Sequence, residues 1–483
     1  MIKMNLDQNF EKIDNYRWKY PKKEKMKVPS IFFGSKELVN NVLKDEKVLE
    51  QVTNVAKLPG IQKASMAMPD AHRGYGFPIG GVAAFDAEKG GIISAGAVGY
   101  DISCGVRAIK TGLKKEKVRE NIEKIAETLY NMVPAGLGSK GEIKLNIEEM
   151  DEVLENGAKW AVEQGYGTKK DLEYLEENGK MENVDPATVS DKAKKRQKNE
   201  IGTLGSGNHY LEIQKATDIK DKEKAKKLGI EKNDVLIMIH CGSRALGHQV
   251  ATEYTEKMKK TSKKHGIELP DKELASVPIN SKTGQQYLKA MNAAINLAAA
   301  NRQVITGLTR RAFEQTLPEA KIETIYEINH NTCKKEKHKL NGEKRELYVH
   351  RKGATRSFAP GHKILPKKYK DIGQPALIGG TMGTASYILT GTEKAMERSF
   401  GSTCHGAGRI MSRNEAKQKF WGEDVVKRLK KEKNIVIKAH SMAGAAEEAP
   451  GAYKNIDKVA ESVEKAGLSK RVAKVKPMAV IKG

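Results

Sequence analysis

The amino-acid sequence predicts a mixed α+β protein folded as one large unit. Three observations carry that expectation: β-branched runs that end in histidine, amphipathic helical segments between them, and glycine-dense tracts spread along the chain. Five short blocks hold most of the metal-ligating chemistry: Asp101-Ile-Ser-Cys104-Gly105, Gly207-Asn208-His209, Ile239-His240-Cys241-Gly242, Asn329-His330-Asn331 and Cys404-His405-Gly406-Ala407-Gly408-Arg409. A length of 483 residues suggests about three domains on size alone. Blocks this far apart can share one chemistry only if the fold gathers them. A single interwoven unit over residues 1–483 is therefore expected, with residues 1–60 its less specific N-terminal part.

In chain order, Ser30-Ile-Phe-Phe33 reads as a strand followed by a helix from near Ser35. The tract Asp70-Ala-His72-Arg73-Gly-Tyr-Gly-Phe-Pro-Ile-Gly80-Gly81 cannot hold a long helix, so strand and loop are expected from there to Arg107. Lys114 to Met132 has the periodicity of an amphipathic helix, and 147–198 reads as a helical, charged scaffold segment. The turn-rich Gly202 to Gly207 leads into an apolar alternation, which puts Asn208 and His209 at the start of a strand. His240, His330 and His440 each end an apolar β-branched run, and strand ends are rigid mounts for ligands. Leu288 to Thr316 is a long helix, and Lys334 to Glu346 is a polar excursion of the hairpin kind.

Lys and Arg outnumber Asp and Glu 86 to 61, a formal charge of +25. That excess favours a polyanionic partner such as nucleic acid, although runs such as Lys334-Lys335-Glu336-Lys337 are also ordinary solvated surface. Cys104, Cys241, Cys333 and Cys404 form no CxxC pair, and the N-terminus lacks a signal-peptide pattern, so a reducing, cytoplasmic setting is expected. The stretch Met291 to Leu308 contains Asn292, Asn296, Asn301 and Arg302, which a bilayer would penalise; no membrane association is expected.

Asp101 and Cys104 lie three apart in a turn and can reach one ion or a pair of ions. A buried cysteine and a turn aspartate are the commoner fates of either residue alone, but His209, His240 and His330 tip the reading toward ligation. Thiolate and imidazole suit Zn, whereas a site that also uses carboxylate and phosphate suits Mn; both remain open on the donor types. Gly379-Gly380-Thr381-Met382-Gly383-Thr384-Ala385-Ser386 has the composition of an anion-binding nest. Together with Cys404 to Arg409 it favours a nucleotide.

Other nucleotide signatures fail. Gly242-Ser-Arg-Ala-Leu-Gly247 runs into His248 and is no Walker A loop, and Gly136-Leu-Gly138-Ser-Lys-Gly141 follows a helical segment, which argues against a Rossmann site. The lysine motif KxDG of common nucleic-acid ligases is missing. A neutral imidazole can attack an α-phosphate, and His405, followed by Gly-Ala-Gly-Arg, is the leading nucleophile; Cys404 is the competing one. His72 and His440 read equally well as hydrogen-bonded structural residues, and His330-Asn331-Thr332 lacks the second copy a two-histidine phosphoesterase needs.

Taken together, the Asp101 and His209 blocks, His240-Cys-Gly-Ser-Arg244, Gly383-Thr-Ala-Ser386-Tyr387 and Gly401-Ser-Thr-Cys-His405-Gly-Ala-Gly-Arg409 resemble the RtcB family of RNA ligases from about residue 60 onward. Glu447-Glu448-Ala-Pro-Gly451-Ala-Tyr453-Lys454 and Lys482-Gly483 extend the likeness. The resemblance implies a mixed α/β catalytic domain with glycine-rich loops around a dinuclear metal site. It also implies a GTP- and Mn-dependent ligase that joins RNA 3′-phosphate or 2′,3′-cyclic phosphate ends to 5′-hydroxyl ends in tRNA splicing and RNA repair. By matching position, Asp101, Cys104, His209, His240 and His330 would hold two Mn2+ ions, with Cys104 bridging, and His405 would become guanylylated. Asn208, His209, Tyr210, Leu211, Glu212, His330, Asn331, Gly379, Gly380, Thr381, Met382, Ser386, His405, Gly406, Ala407, Gly408, Tyr453 and Lys482 would form the GMP site. Asp70 would assist in proton transfer or RNA positioning. Arg244, Arg351, Arg356, Arg409 and Arg413 would meet RNA phosphates, the partners being RNA, above all tRNA exon halves, with archease a candidate helper. A metallophosphoesterase acting on RNA ends and an RNA-binding protein with a structural metal are the competing readings.

Overall fold

Two twisted sheets and one long helix organise the chain, and the computed structural model describes residues 6–483. Residues 1–5, which belong to the expected N-terminal part and to the stretch read for a signal peptide, lie outside the described residues.

The first sheet has seven strands in the order Glu11–Asp14, Arg17–Tyr20, Ser30–Phe33, Ile61–His72, Ile79–Phe85, Glu343–Lys352, Asn331–Leu340. Only the pairing of Ser30–Phe33 with Ile61–His72 is parallel. Ser35 caps the next helix, Lys36–Leu43, by accepting from the Leu38 amide. The expected polar excursion is a two-residue hairpin: Leu340 pairs with Glu343 across Asn341-Gly342, whose φ angles of 49° and 90° are the left-handed pair such a turn requires.

The second sheet runs Glu323–Asn329, Gly105–Lys114, Asp234–Cys241, Tyr210–Ile219, Ser469–Lys482, Ser386–Gly391, Pro375–Ile378, with Val436–Ala439 added in parallel to Ser469–Lys482. Its three neighbours Glu323–Asn329, Gly105–Lys114 and Asp234–Cys241 are in register at one end, where Asn329 pairs with Gly105 and Gly105 with Cys241. The chain therefore leaves the sheet there at three adjacent points; Cys104 and His330 lie just past the last pairs, and His240 is the penultimate residue of its strand.

The long helix, Lys282–Thr316, begins six residues before the expected Leu288, because Ser281 caps it by accepting from the Gly284 amide. Its interior is almost wholly buried and nucleates the largest apolar cluster, so packing rather than intrinsic propensity holds its β-branched residues in a helix. No described helix is long and apolar enough to cross a membrane.

Two expectations need correction in detail. The helix read from Lys114 to Met132 is a strand end at Lys114 followed by two helices, Lys115–Glu120 and Ile122–Met132, broken at Asn121 (φ −114°, ψ 9°). The segment 147–198 is a series of short helices; Gly157 (φ 58°, ψ −136°) separates two of them, and left-handed Glu177 and Asn178 distort a third.

Candidate active site

The chain preceding Gly105–Lys114 turns tightly, with the Cys104 amide donating to the Asp101 carbonyl at 3.1 Å. Ser103 sits at φ 57°, and its hydroxyl donates to the Asn329 carboxamide at 2.8 Å. This turn delivers Asp101 and Cys104 to the end of the sheet. Cys104 Sγ lies 3.3 Å from His209 Nε2 and 3.1 Å from His240 Nε2. His240 Nε2 is 3.1 Å from His330 Nε2, and His209 Nε2 is 2.9 Å from Asp101 Oδ2. Two three-ligand groups result, Cys104/His240/His330 and Asp101/Cys104/His209, each with its ligand atoms within 4.8 Å of one another. Cys104 belongs to both.

The electrostatics divide the cluster. Burial and neighbouring charges push His240 and His330 well below the usual imidazole range, leaving neutral rings with lone pairs that converge. Burial, reinforced by Asp101, pushes the Cys104 thiol up to about 12. Burial alone would lower His209, but Cys104 and Asp101 outweigh it and hold the ring well above its ordinary value. His209 Nδ1 donates to the Leu204 carbonyl at 2.9 Å, which aims Nε2 at the carboxylate and sulfur. Buried sulfur, imidazole and carboxylate donors converging in this way fit one or two transition-metal ions. Among the expected ligands, all five are gathered here.

His405 stands beside this cluster, its ring centroid 4.8 Å from that of His330. His405 Nδ1 lies 2.7 Å from Oδ2 of fully buried Asp70, which also accepts from the backbone amides of His405 and Gly406 at 3.2 and 3.3 Å. The carboxylate thereby fixes the ring and leaves Nε2 as the free nitrogen. Lys454 lies below, donating to the Pro69 carbonyl at 3.3 Å, its ammonium pulled by burial down to about 8. Cys404, the competing nucleophile, is fully buried in a strand and its thiol is pushed well above the usual range by burial and by Asp70.

A cavity of about 600 Å³ opens over His405 and reaches the metal-type cluster. Asn208, Tyr210, Glu212, His330, Asn331, Gly379, Gly380, Thr381, Met382, Gly406, Ala407, Gly408, Tyr453 and Lys482 line it. His209 serves the cluster instead. Leu211 does not reach the cavity: strand alternation turns Tyr210 and Glu212 toward it and packs Leu211 into the apolar core. Ser386 also stays behind the wall, where its hydroxyl accepts from the Gly380 amide at 3.0 Å. The anion-nest reading of Gly379 to Ser386 fails for three amides, since Gly379 donates to His405 O, Gly380 to Ser386 Oγ and Thr381 to Thr384 Oγ1. The tract braces the His405 loop.

Among the lining residues, burial raises Glu212 to about 7, while Gln214 donates to it at 2.5 Å. Lys482 Nζ donates to the Gly207 carbonyl at 2.6 Å, and burial lowers its pKa. Arg409 lies 4.8 Å over the Tyr453 ring and donates to its hydroxyl at 2.9 Å.

The expected phosphate-binding arginines divide. Arg351 is fully buried in a two-pronged pair with Glu336 (2.7 and 2.9 Å), and Arg356 is buried against Glu176 and Glu177. Neither can meet RNA; a buried guanidinium needs a fixed carboxylate, and these have theirs. Arg244 is largely buried and lies 3.6 Å from Glu200. Arg409 and half-exposed Arg413 line the cavity, but Arg409 is already paired with Glu448 at 3.1 Å and donates to the Met411 and Glu447 carbonyls, which leaves Arg413 the more available charge. His72 lines it too, burial lowering its ring to about 3, whereas His440 packs against Gly136 in neither ligand group. Sequence reading missed Lys352, a cavity-lining lysine lowered to about 7 by burial, because nothing distinguishes one lysine in so basic a chain.

The family model described as tRNA-splicing ligase RtcB matches residues 51–483. The protein of Thermococcus kodakarensis named tRNA-splicing ligase RtcB is 50% identical over 478 residues, 98% of each chain. Proteins of the same name are 49% identical in Archaeoglobus fulgidus, over 99% of this chain and all of the relative, and 46% identical in Nanoarchaeum equitans, again over 99% and 100%. With five candidate ligands gathered, a histidine oriented beside them and likeness of this extent, the chain belongs to the RtcB family.

Proposed function

We propose that the protein is a GTP-dependent RNA ligase that joins 2′,3′-cyclic phosphate or 3′-phosphate RNA ends to 5′-hydroxyl ends, acting in tRNA splicing and RNA repair. The observation that carries this reading is the placement of His405: oriented through Nδ1 by Asp70, beside a cluster of metal-type ligands, at the floor of a nucleotide-sized cavity.

Asp101, Cys104 and His209 would hold one divalent ion and Cys104, His240 and His330 a second, Mn2+ by family resemblance, with the Cys104 sulfur shared. Bound there, the ions supply charge neutralisation for phosphate oxygens and a thiolate pKa lowered far below that of the free thiol. Asp70 holds the proton on His405 Nδ1, so Nε2 presents its lone pair to the α-phosphorus of GTP. A nitrogen–phosphorus bond forms, the bond to the bridging oxygen breaks, and pyrophosphate leaves. Charge growing on the imidazole is balanced by the Asp70 carboxylate. Water opens a cyclic phosphate where one is present; the 3′-phosphate then takes GMP from His405, and the 5′-hydroxyl oxygen displaces GMP to close the phosphodiester.

For the base, Glu212 and Lys482 offer an acceptor and a donor at one end of the cavity, matching the N1–H/N2–H edge and O6 of guanine, and Tyr453 offers a ring face. Half-exposed Arg413 at the cavity supplies positive charge for RNA phosphates. A cytoplasmic setting and help from archease complete the proposal on resemblance.

The test uses α-labelled GTP and Mn2+ with the purified protein and with His405→Ala, read as label retained on the denatured chain. Label on the wild type alone supports the reading. No label on either, with fold and metal binding intact, turns it toward the phosphoesterase alternative.

A further inference from the structure

Arg302 lies in the middle of the helix Lys282–Thr316, fully buried, where a charged side chain is costly unless paired; both terminal nitrogens are paired and only Nε has no partner. Its guanidinium donates through Nη1 to the carbonyls of Ser103 and Cys241, both at 2.8 Å, and through Nη2 to Glu327 Oε1 and Asn329 Oδ1, also both at 2.8 Å. Three of these four acceptors adjoin a candidate ligand in sequence: Ser103 precedes Cys104, Cys241 follows His240, and Asn329 precedes His330.

We infer that Arg302 is a positioning residue that sets the spacing of Cys104, His240 and His330; the inference rests on the metal-centre reading above. The sheet ladder ends at the Asn329, Gly105 and Cys241 register: His240 is still within it, opposite Val106 and Tyr210, while Cys104 and His330 lie one residue past it, where the His330 amide donates to the Cys104 carbonyl at 2.9 Å. At that edge a planar fork on a rigid helix ties the three segments to one another. Glu327 fixes the fork from the other side and is itself held by Arg107 at 2.7 Å. The next helix residue, Asn301, continues the arrangement toward the fourth segment, accepting from the Gly202 amide at 2.7 Å and donating to the Thr203 carbonyl at 3.2 Å, upstream of His209. A lysine at 302 would keep the charge and lose the fork. The fork packs closely on Gly105, where an added Cβ would stand 3.2 Å from the guanidinium carbon and 2.4 Å from the Ile328 carbonyl oxygen.

The test compares wild type, Arg302→Lys and the control Arg107→Lys, which alters the same Glu327 partner but none of the contacts to ligand-bearing segments. Metal affinity is read by Mn2+ titration, donor geometry by the sulfur-to-metal absorption of the Co2+-loaded protein, and folding by circular dichroism. We expect Arg302→Lys to fold, to bind Mn2+ about 10- to 100-fold more weakly, and to show a shifted Co2+ spectrum at saturation. Arg107→Lys should lose thermal stability and keep the wild-type spectrum. If Arg302→Lys does not fold, the same titration on Arg302→Gln decides. A folded position-302 variant with wild-type affinity and spectrum overturns the inference while leaving the metal centre standing. Failure of the wild type to bind either ion overturns both.

Discussion

Replacing Asp70 by asparagine isolates the charge that orients His405. The carboxylate accepts three hydrogen bonds on Oδ2, one from the ring at 2.7 Å and two from the His405 and Gly406 amides, and it has no exposure to solvent. An asparagine carbonyl can keep all three acceptances, so the loop geometry survives and only the charge is lost. A hydrogen bond to a charged group is worth about 1.5–3 kcal/mol, against roughly 1 for a neutral one. The imidazole gains positive charge as Nε2 bonds to phosphorus, so that difference falls on the transition state. The expected loss is therefore about tenfold in the rate of guanylylation, and more if the amide turns its nitrogen toward the ring and forces the proton onto Nε2. Single-turnover labelling with α-labelled GTP measures the rate directly. An Asp70→Asn protein that folds normally and takes label at the wild-type rate would refute the orientation argument.

Three further outcomes are expected. Burial raises Glu212 to about 7, above its unfolded value, so its contribution to stability is present below about pH 4.5 and is lost as pH rises through 7. The loss is about 3 kcal/mol, and Glu212→Gln should flatten that decline in a melting series from pH 5 to 8; guanine-nucleotide affinity should rise over the same interval as the acceptor ionises, and only in the wild type. At Gly408, φ is 73° and an added Cβ would stand 2.1 Å from the Asp70 carbonyl oxygen, so Gly408→Ala should cost about 1–3 kcal/mol in unfolding and remove labelling by displacing Asp70. Cys104 belongs to both ligand groups, so Cys104→Ser should weaken both ions in an Mn2+ titration, whereas His209→Ala should weaken one and leave the other measurable.

Much of the site was legible in the chain because the chemistry of a donor belongs to the residue. Cys104, His209, His240 and His330 announced themselves as soft and borderline ligands at strand ends and turns, and the hairpin expected within Lys334 to Glu346 is there, turning at Asn341-Gly342. The boundaries that moved, at Asn121 and at Lys282, moved where capping or a backbone break decided them. The arginines show the opposite case. Arg351 and Arg356 look like phosphate binders in a basic chain, and nothing local reveals that Glu336, Glu176 and Glu177 neutralise them inside the protein.

The sequence by itself determined which atoms could bind a metal or attack a phosphate, and the glycines that let a loop approach them. Tertiary structure alone decided that Cys104 stands between two ligand groups, that Asp70 grips His405 across 335 residues of chain, and that the amides from Gly379 to Thr381 are already engaged. The physical reason is register. Donor chemistry is fixed residue by residue, but convergence to about 3 Å depends on how strands far apart in the chain align, and a shift of one residue would turn His240 or Asp70 to the opposite face.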